Sequence, residues 1–386
     1  MSQIKHALPI VYLATFFYSL HYALTLYIES SFLGTFLPTQ SVGLLFTVAA
    51  IISVLILFNF SSILRRFGNY SVILTAVIFE AAALFVLSDV SDWRLMAAFF
   101  IIHQILLNVI FFSLNIFLEA FSKDETTGST RGIFLTVINS AIIAGPFIAG
   151  NLFEDGDFRT TFLVAGVIVL LILFFMGGWF KNFADPQYAR LSILNTIGSV
   201  AREKELRSIF VVQFLLEFFF SIMVIYTPIY LYQTIGIPLS QIVGIIMPIA
   251  LLPFVVFPYT LGNLADKRFG EKEMLFAGFL VMSIATASIS LIVSQTIFIW
   301  AVILLLTRIG ASFVETMAES YFFKHISVKE TNIISFFRNL RPMSYLIAPV
   351  VASAFLSLFD SKYLFLGVGA IMLIGLYYSF ILKDTR

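Results

Sequence analysis

Cysteine is absent from this chain. Without thiols there is no disulfide framework, no thiolate-bound metal and no cysteine redox chemistry to consider. Charge is scarce too. Only 12% of the residues are Asp, Glu, Lys or Arg, against roughly a quarter in a soluble domain. Acids and bases nearly cancel, leaving +1, so nothing suggests a nucleic-acid partner. The sequence has no Gly-rich phosphate loop, no nucleotide-binding domain, no metal cluster of His and carboxylates, and no Ser-His-Asp arrangement. Those gaps exclude ATP-driven work by this chain alone and leave no candidate for an enzyme's catalytic centre.

What the chain does have is apolar surface. Hydrophobic residues make up 60% of it, and 45 residues are Phe. Such a chain must be solvated by a lipid bilayer over most of its surface. Twelve apolar runs approach the ~20 residues that a helical span needs. They lie at 8–30, 41–63, 70–88, 93–119, 131–153, 158–180, 208–232, 239–262, 273–293, 297–322, 331–357 and 361–382, and are called spans 1 to 12. Continuous runs of this length are not the alternating strands of a barrel, and in lipid only helices or closed barrels satisfy the backbone. The expected class is an all-α membrane protein. No small-residue cleavage site follows the first run, so span 1 is read as retained rather than as a signal peptide.

Lys and Arg orient the chain. An even number of spans puts both termini on one side. If that side is the cytoplasm, the outer loops hold only Arg94, Arg159 and Lys362, while the inner loops hold most of the rest. The prediction is a multi-pass protein of the cell (inner) membrane with both termini cytoplasmic. The longest polar stretch, 181–207, divides the chain into a six-span half at 1–180 and another at 208–386. Within it, 192–204 mixes apolar and basic residues, as an amphipathic helix on the membrane surface or a tether would.

The halves read as a repeat. Arg65-Arg66-Phe67-Gly68 corresponds to Lys267-Arg268-Phe269-Gly270, Glu119 to Glu319, and Gly145-Pro146 to Ala348-Pro349, all at offsets near two hundred residues. Repeats of this kind place a substrate site at the midplane between halves.

Gly262-Asn263-Leu264-Ala265-Asp266-Lys267-Arg268-Phe269-Gly270 packs an acid, two bases and two glycines into one loop between spans 8 and 9. This order resembles the signature loop of the major facilitator superfamily. Twelve spans, the six-plus-six division and the central loop extend the resemblance over essentially the whole chain. One departure stands out: in the first half Phe60 and Leu64 occupy the signature Gly and Asp positions. The resemblance implies two six-helix pseudo-repeat bundles, with spans 1, 4, 7 and 10 lining a central cavity. It implies a secondary transporter of a small organic solute, working by alternating access; a monomer without a cofactor is expected, and Glu217 with Arg308 favours H⁺ as the coupling ion. The acid followed by Arg-Gly in Glu119…Arg131-Gly132 resembles the inner helix ends of sugar porters in this superfamily. There Glu119 and Arg131, with Glu319 and Arg338 as a second copy, imply gating ion pairs. Gly262, Asp266, Lys267, Arg268 and Gly270 belong to the same gating set. Gly132, Gly145, Pro146 and Gly150 in span 5 resemble the motif of drug/proton antiporters, with Ala replacing Gly twice. Small-residue helix packing alone also accounts for that pattern.

Ionisable residues inside spans cost ~2.5–3.5 kcal/mol each on insertion scales and are functional candidates. In the second half these are Glu217, Arg308, Glu315 and Arg341, with Arg338 one turn below Arg341. The resemblance implies that Glu217 and Arg308 face the substrate path; the alternative is that they pair with each other or with Arg341 for structure. In the first half, Tyr18, Tyr22 and Glu29 on span 1 form one face. Glu29 sits near the outer end, where water would hydrate it. His103 and Asn108 of span 4 lie near the midplane; His103 is a proton carrier or a packing residue. Glu80, in span 3, has no assigned partner and is either protonated or turned towards span 2. Efflux in exchange for protons is the leading function. The alternatives are proton-coupled uptake of a polar or anionic solute and, in another class, a non-transporting receptor or scaffold.

Overall fold

The computed structural model describes residues 2–122, 127–153, 157–186, 193–265, 270–326 and 331–383. Within them, the side chains of 2–6, 127–129, 131–132, 193–196, 259, 262–263, 331–332 and 335 are not described. Asp266, Lys267 and Arg268 of the expected gating loop therefore lie outside the described residues, as does the side chain of Arg131. Every element among the described residues is helical. The protein is all-α, and among the described residues eleven helical segments are long and apolar enough to cross a membrane.

Span 11, the expected span not among these eleven, is broken. Residues 331–357 form two helices, Thr331–Arg338 and Leu340–Leu356, which meet at Asn339. Pro342 explains the break. It has no N–H to donate to the carbonyl four residues earlier, at Arg338, and its ring crowds that carbonyl. Leu340–Leu356 is only 17 residues long, which is why it falls short of a span by length. Span 2 is also divided at Asn59, into Thr39–Phe58 and Phe60–Phe67. There the Asn59 side chain donates to the Leu55 carbonyl at 2.9 Å.

Spans 7 and 8 carry their prolines where the helix changes pitch. Lys204–Ile229, with Pro228 inside it, runs into a π-helical turn, Tyr230–Ile235, that ends on Gly236 at φ +81°. Span 8 is a π-helical turn, Ile242–Ile246, then Met247–Leu251, then a fresh start at Pro253–Leu264. The stretch expected as an amphipathic surface helix or a tether is helical over Ile193–Arg202.

The chain divides into two compact units. The first comprises Met1–Pro38 and Val48–Arg190. In it, span 1 packs on spans 4, 5 and 6, and span 3 on spans 4 and 6. Gly145 of span 5 meets Ala23 of span 1 so closely that any Cβ at 145 would overlap it, the close approach that small residues permit. The second unit comprises Thr39–Thr47 and Leu191–Arg386. In it, span 9 packs on spans 10 and 12, and span 7 on spans 10, 11 and 12. Ser283 Oγ donates to the Gly369 carbonyl at 2.6 Å, tying span 9 to span 12.

Candidate functional site

In the first unit, His21, Thr25 and Glu29 follow one another at a spacing of four, so they rise along one face of span 1. Helix Ser2–Thr25 ends there, and Glu29 opens the short helix Glu29–Leu33. Glu80 projects from span 3 (Asn69–Leu87) and His103 from span 4 (Trp93–Phe121). These residues meet. His103 Nδ1 lies 2.5 Å from Glu80 Oε1, and its Nε2 lies 3.1 Å from Glu29 Oε1. His21 Nε2 lies 3.3 Å from the same Glu80 oxygen. Glu29 also accepts from Thr25 Oγ1 at 2.7 Å and from Gln104 Nε2 at 2.6 Å. Relative exposures are 0% for His21, Glu80 and His103 and 2% for Glu29.

Three expectations change. Glu29 is not hydrated: its carboxylate is buried and takes two side-chain donors in addition to His103. Glu80 turns towards spans 1 and 4 rather than span 2. His103 is not a lone packing imidazole, because a carboxylate stands at each ring nitrogen. Around this cluster, Tyr18 is buried, donates to the Leu107 carbonyl at 2.9 Å and sets its ring 5.3 Å from that of His21. Tyr22 is half-buried. Asn108 donates to Ser53 Oγ at 3.4 Å and to the Gln104 carbonyl at 2.9 Å.

The second unit holds the other set. Glu217, half-buried on span 7, accepts from Gln213 at 3.0 Å. It lies within electrostatic range of Arg341, Arg338 and Glu319. Glu315, half-buried on span 10, shares that field and Glu217's as well. Glu319 takes both guanidinium nitrogens of Arg338, so the helix end of span 10 is clamped to Thr331–Arg338. Arg308 is 2% exposed and stacks its guanidinium over Phe219 at 5.3 Å and Phe220 at 5.8 Å. Cation–π contact of this kind is one way to hold a charge away from water. Beyond the last span, Lys383 donates to Glu205 at 2.6 Å, and that carboxylate holds the ammonium above its ordinary lysine range.

Of the gating and packing residues, Glu119 is exposed at the end of span 4, and Gly270 opens span 9 with φ +75°. Gly262 lies in Pro253–Leu264. Gly132, Gly145, Pro146 and Gly150 share helix Thr127–Leu152.

Asp185 escaped the sequence reading. The first-half loop has no acid of its own, yet Asp185 Oδ1 accepts from the Asn69 backbone N–H at 2.9 Å. That places a carboxylate at the N-terminus of span 3, where the helix dipole favours a negative charge. Its neighbour Gly68 has φ +75°, matching Gly270. An acid arriving from more than a hundred residues away leaves no local motif to find.

A model of the major facilitator superfamily matches residues 11–341 and 209–386, and the chain belongs to that superfamily. Its fold resembles that of a bacterial homologue of the human lysosomal transporter Spinster, determined inward-facing and unoccupied. The TM-score is 0.77 at 11% identity, over 98% of this chain and 96% of that one. It also resembles the nucleoside transporter NupG, with a TM-score of 0.75 at 15% identity, over 99% of this chain and all of that one. At such identities the likeness is one of fold. No curated protein sequence matches the chain.

Proposed function

We propose that this chain is a proton-coupled secondary active transporter that moves a small organic solute by alternating access. The observation that carries this reading is the set of ionisable groups on the apolar spans 7, 10 and 11 of the second unit: Arg308 is buried, Glu217 and Glu315 are half-buried, and Arg338 and Arg341 are exposed near the start of span 11. Glu217 and Glu315 stay partly accessible beside Arg341. Each such group is costly in a membrane, and a carboxylate facing an arginine can exchange a proton for an ion-pair partner. Efflux in exchange for protons is the favoured direction, supported by the span 5 pattern around Gly145 and Pro146. The protein acts as a monomer in the cell membrane, with both termini in the cytoplasm.

The test is pH recording in proteoliposomes under an imposed proton gradient. The panel comprises lipophilic amines, sugars and organic anions, applied to the wild type and Glu217→Gln. Expected is proton flux with one solute class, opposite in direction to the solute and at least tenfold weaker in the variant. Solute flux with no proton flux in the wild type would overturn the coupling; co-directional fluxes would replace efflux with uptake.

A further inference from the structure

The Glu29–His103–Glu80–His21 cluster is a different object from the charges of spans 7, 10 and 11. It lies wholly within the first unit, and its four members are buried. Its members can be counted as proton holders.

Three contacts link the four groups, and each joins a ring nitrogen to a carboxylate oxygen. A hydrogen bond of this type needs one hydrogen between the two atoms. His103 has a carboxylate at both nitrogens, so both of its contacts are filled when it is imidazolium, or when it is neutral and one neighbouring acid keeps the proton. His21 fills its single contact as a neutral ring with Nε2 protonated. Two carboxylates and one imidazolium then leave the cluster with one net negative charge.

Among the described residues, the helices packed around it carry Lys or Arg only near their ends. Span 3 has no Lys or Arg. Span 4 has only Arg94, at its outer start, and Glu119 at its far end. Span 5 has no Asp, Glu, His, Lys or Arg between 133 and 152. Span 6 has only Arg159, at its start, 4.0 Å from Asp89. The remaining titratable groups near the cluster on span 1 are the phenols of Tyr18, Tyr22 and Tyr27.

A lone negative charge in a low-dielectric interior costs several kcal/mol, and one proton cancels it. Two atoms of the cluster are buried without a hydrogen-bond partner: His21 Nδ1 and Glu80 Oε2. Each can accept that proton. A shared metal does not explain the cluster, because the nitrogens and oxygens face one another directly at 2.5–3.3 Å instead of converging on a common point.

We infer that the Glu29–His103–Glu80–His21 cluster is a one-proton binding site of the first unit, passing between a singly negative and a neutral form, with His21 Nδ1 or Glu80 Oε2 as the point of arrival. The proton is bound from water and returned to it, with no other bond made or broken. As the place where the transported proton resides, the inference rests on the coupling proposed above; as a binding site it stands without it.

Infrared difference spectroscopy of the purified protein in lipid nanodiscs, stepped in pH without any solute, reads protonated carboxyl groups directly. As pH falls, the wild type is expected to show a protonated-carboxyl band where the proton rests on Glu80 Oε2, or an imidazolium ring band where it rests on His21 Nδ1; a wild type with neither band overturns the inference. Glu80→Gln should remove or shift that band, His21→Gln should remove it or move its midpoint by at least one pH unit, and Glu217→Gln should leave it in place. A band unchanged in both Glu80→Gln and His21→Gln overturns the inference. In proteoliposomes with the solute class found above, Glu80→Gln should lose proton flux at least tenfold while still exchanging internal for external solute. Wild-type proton flux that persists in Glu80→Gln overturns the transport role. Absence of flux in the wild type overturns the coupling proposal and leaves the infrared result to judge the site.

Discussion

Replacing His103 with Leu should destabilise the protein by about 3–5 kcal/mol, the cost of removing one partner from a buried ion pair. Leu fills a similar volume, so lost packing is a minor part of the effect. What remains is Glu80 and Glu29, both buried, with their shared donor gone. Glu29 keeps Thr25 and Gln104 as donors; Glu80 keeps only His21. Unfolding in denaturant, followed by tryptophan fluorescence or circular dichroism, measures the change. Adding Glu80→Leu to His103→Leu should recover part of the loss, since a buried pair replaced by apolar residues is often neutral or better. A loss no larger than a surface pair's, about 1 kcal/mol or less, would mean that water reaches the cluster and that its burial is not sustained.

The second large effect is steric. At Gly310 an added Cβ would stand 2.5 Å from the Met282 backbone nitrogen and 2.7 Å from the Gly278 carbonyl oxygen. Both obstacles are main chain, so no side-chain rotation relieves the clash, and span 9 has to move away from span 10. Gly278 is just as confined from the other side, facing Gly310 O at 2.9 Å. Gly310→Leu should cost at least about 3 kcal/mol, the upper end of ordinary overpacking, and show as loss of monodisperse protein in size-exclusion chromatography. Gly177→Leu is the control, because nothing stands within 4 Å of its added carbon. Equal behaviour of the two variants would remove close helix contact as the reason for glycine at 310.

The spans were legible because lipid imposes one crude rule, a long apolar helix, and the sequence obeys it from end to end. Glu319 and Arg338 could be paired in advance because each has a counterpart about two hundred residues earlier. The break at Asn339 had a readable sign in Pro342, which the length of the apolar run concealed. The buried cluster was hidden for a different reason. Glu80 sits in an apolar helix with no periodic polar face, and its partners come from spans 1 and 4. Only the packing of three helices turns an unexplained carboxylate into the centre of a network. The stripe His21, Thr25, Glu29 was the one available clue, and it was diluted by the tyrosines beside it.

Asp185 bears on how this chain can be taken apart. It follows the sixth span yet caps the third, and the first compact unit runs on to Arg190. To co-express the protein as two fragments, the cut belongs beyond Arg190, not at the last apolar residue of span 6. A fragment ending near residue 180 would carry every helix of its half but leave the start of span 3 without its carboxylate. The polar stretch between the halves is therefore no neutral tether: its first part is a working component of the half that precedes it.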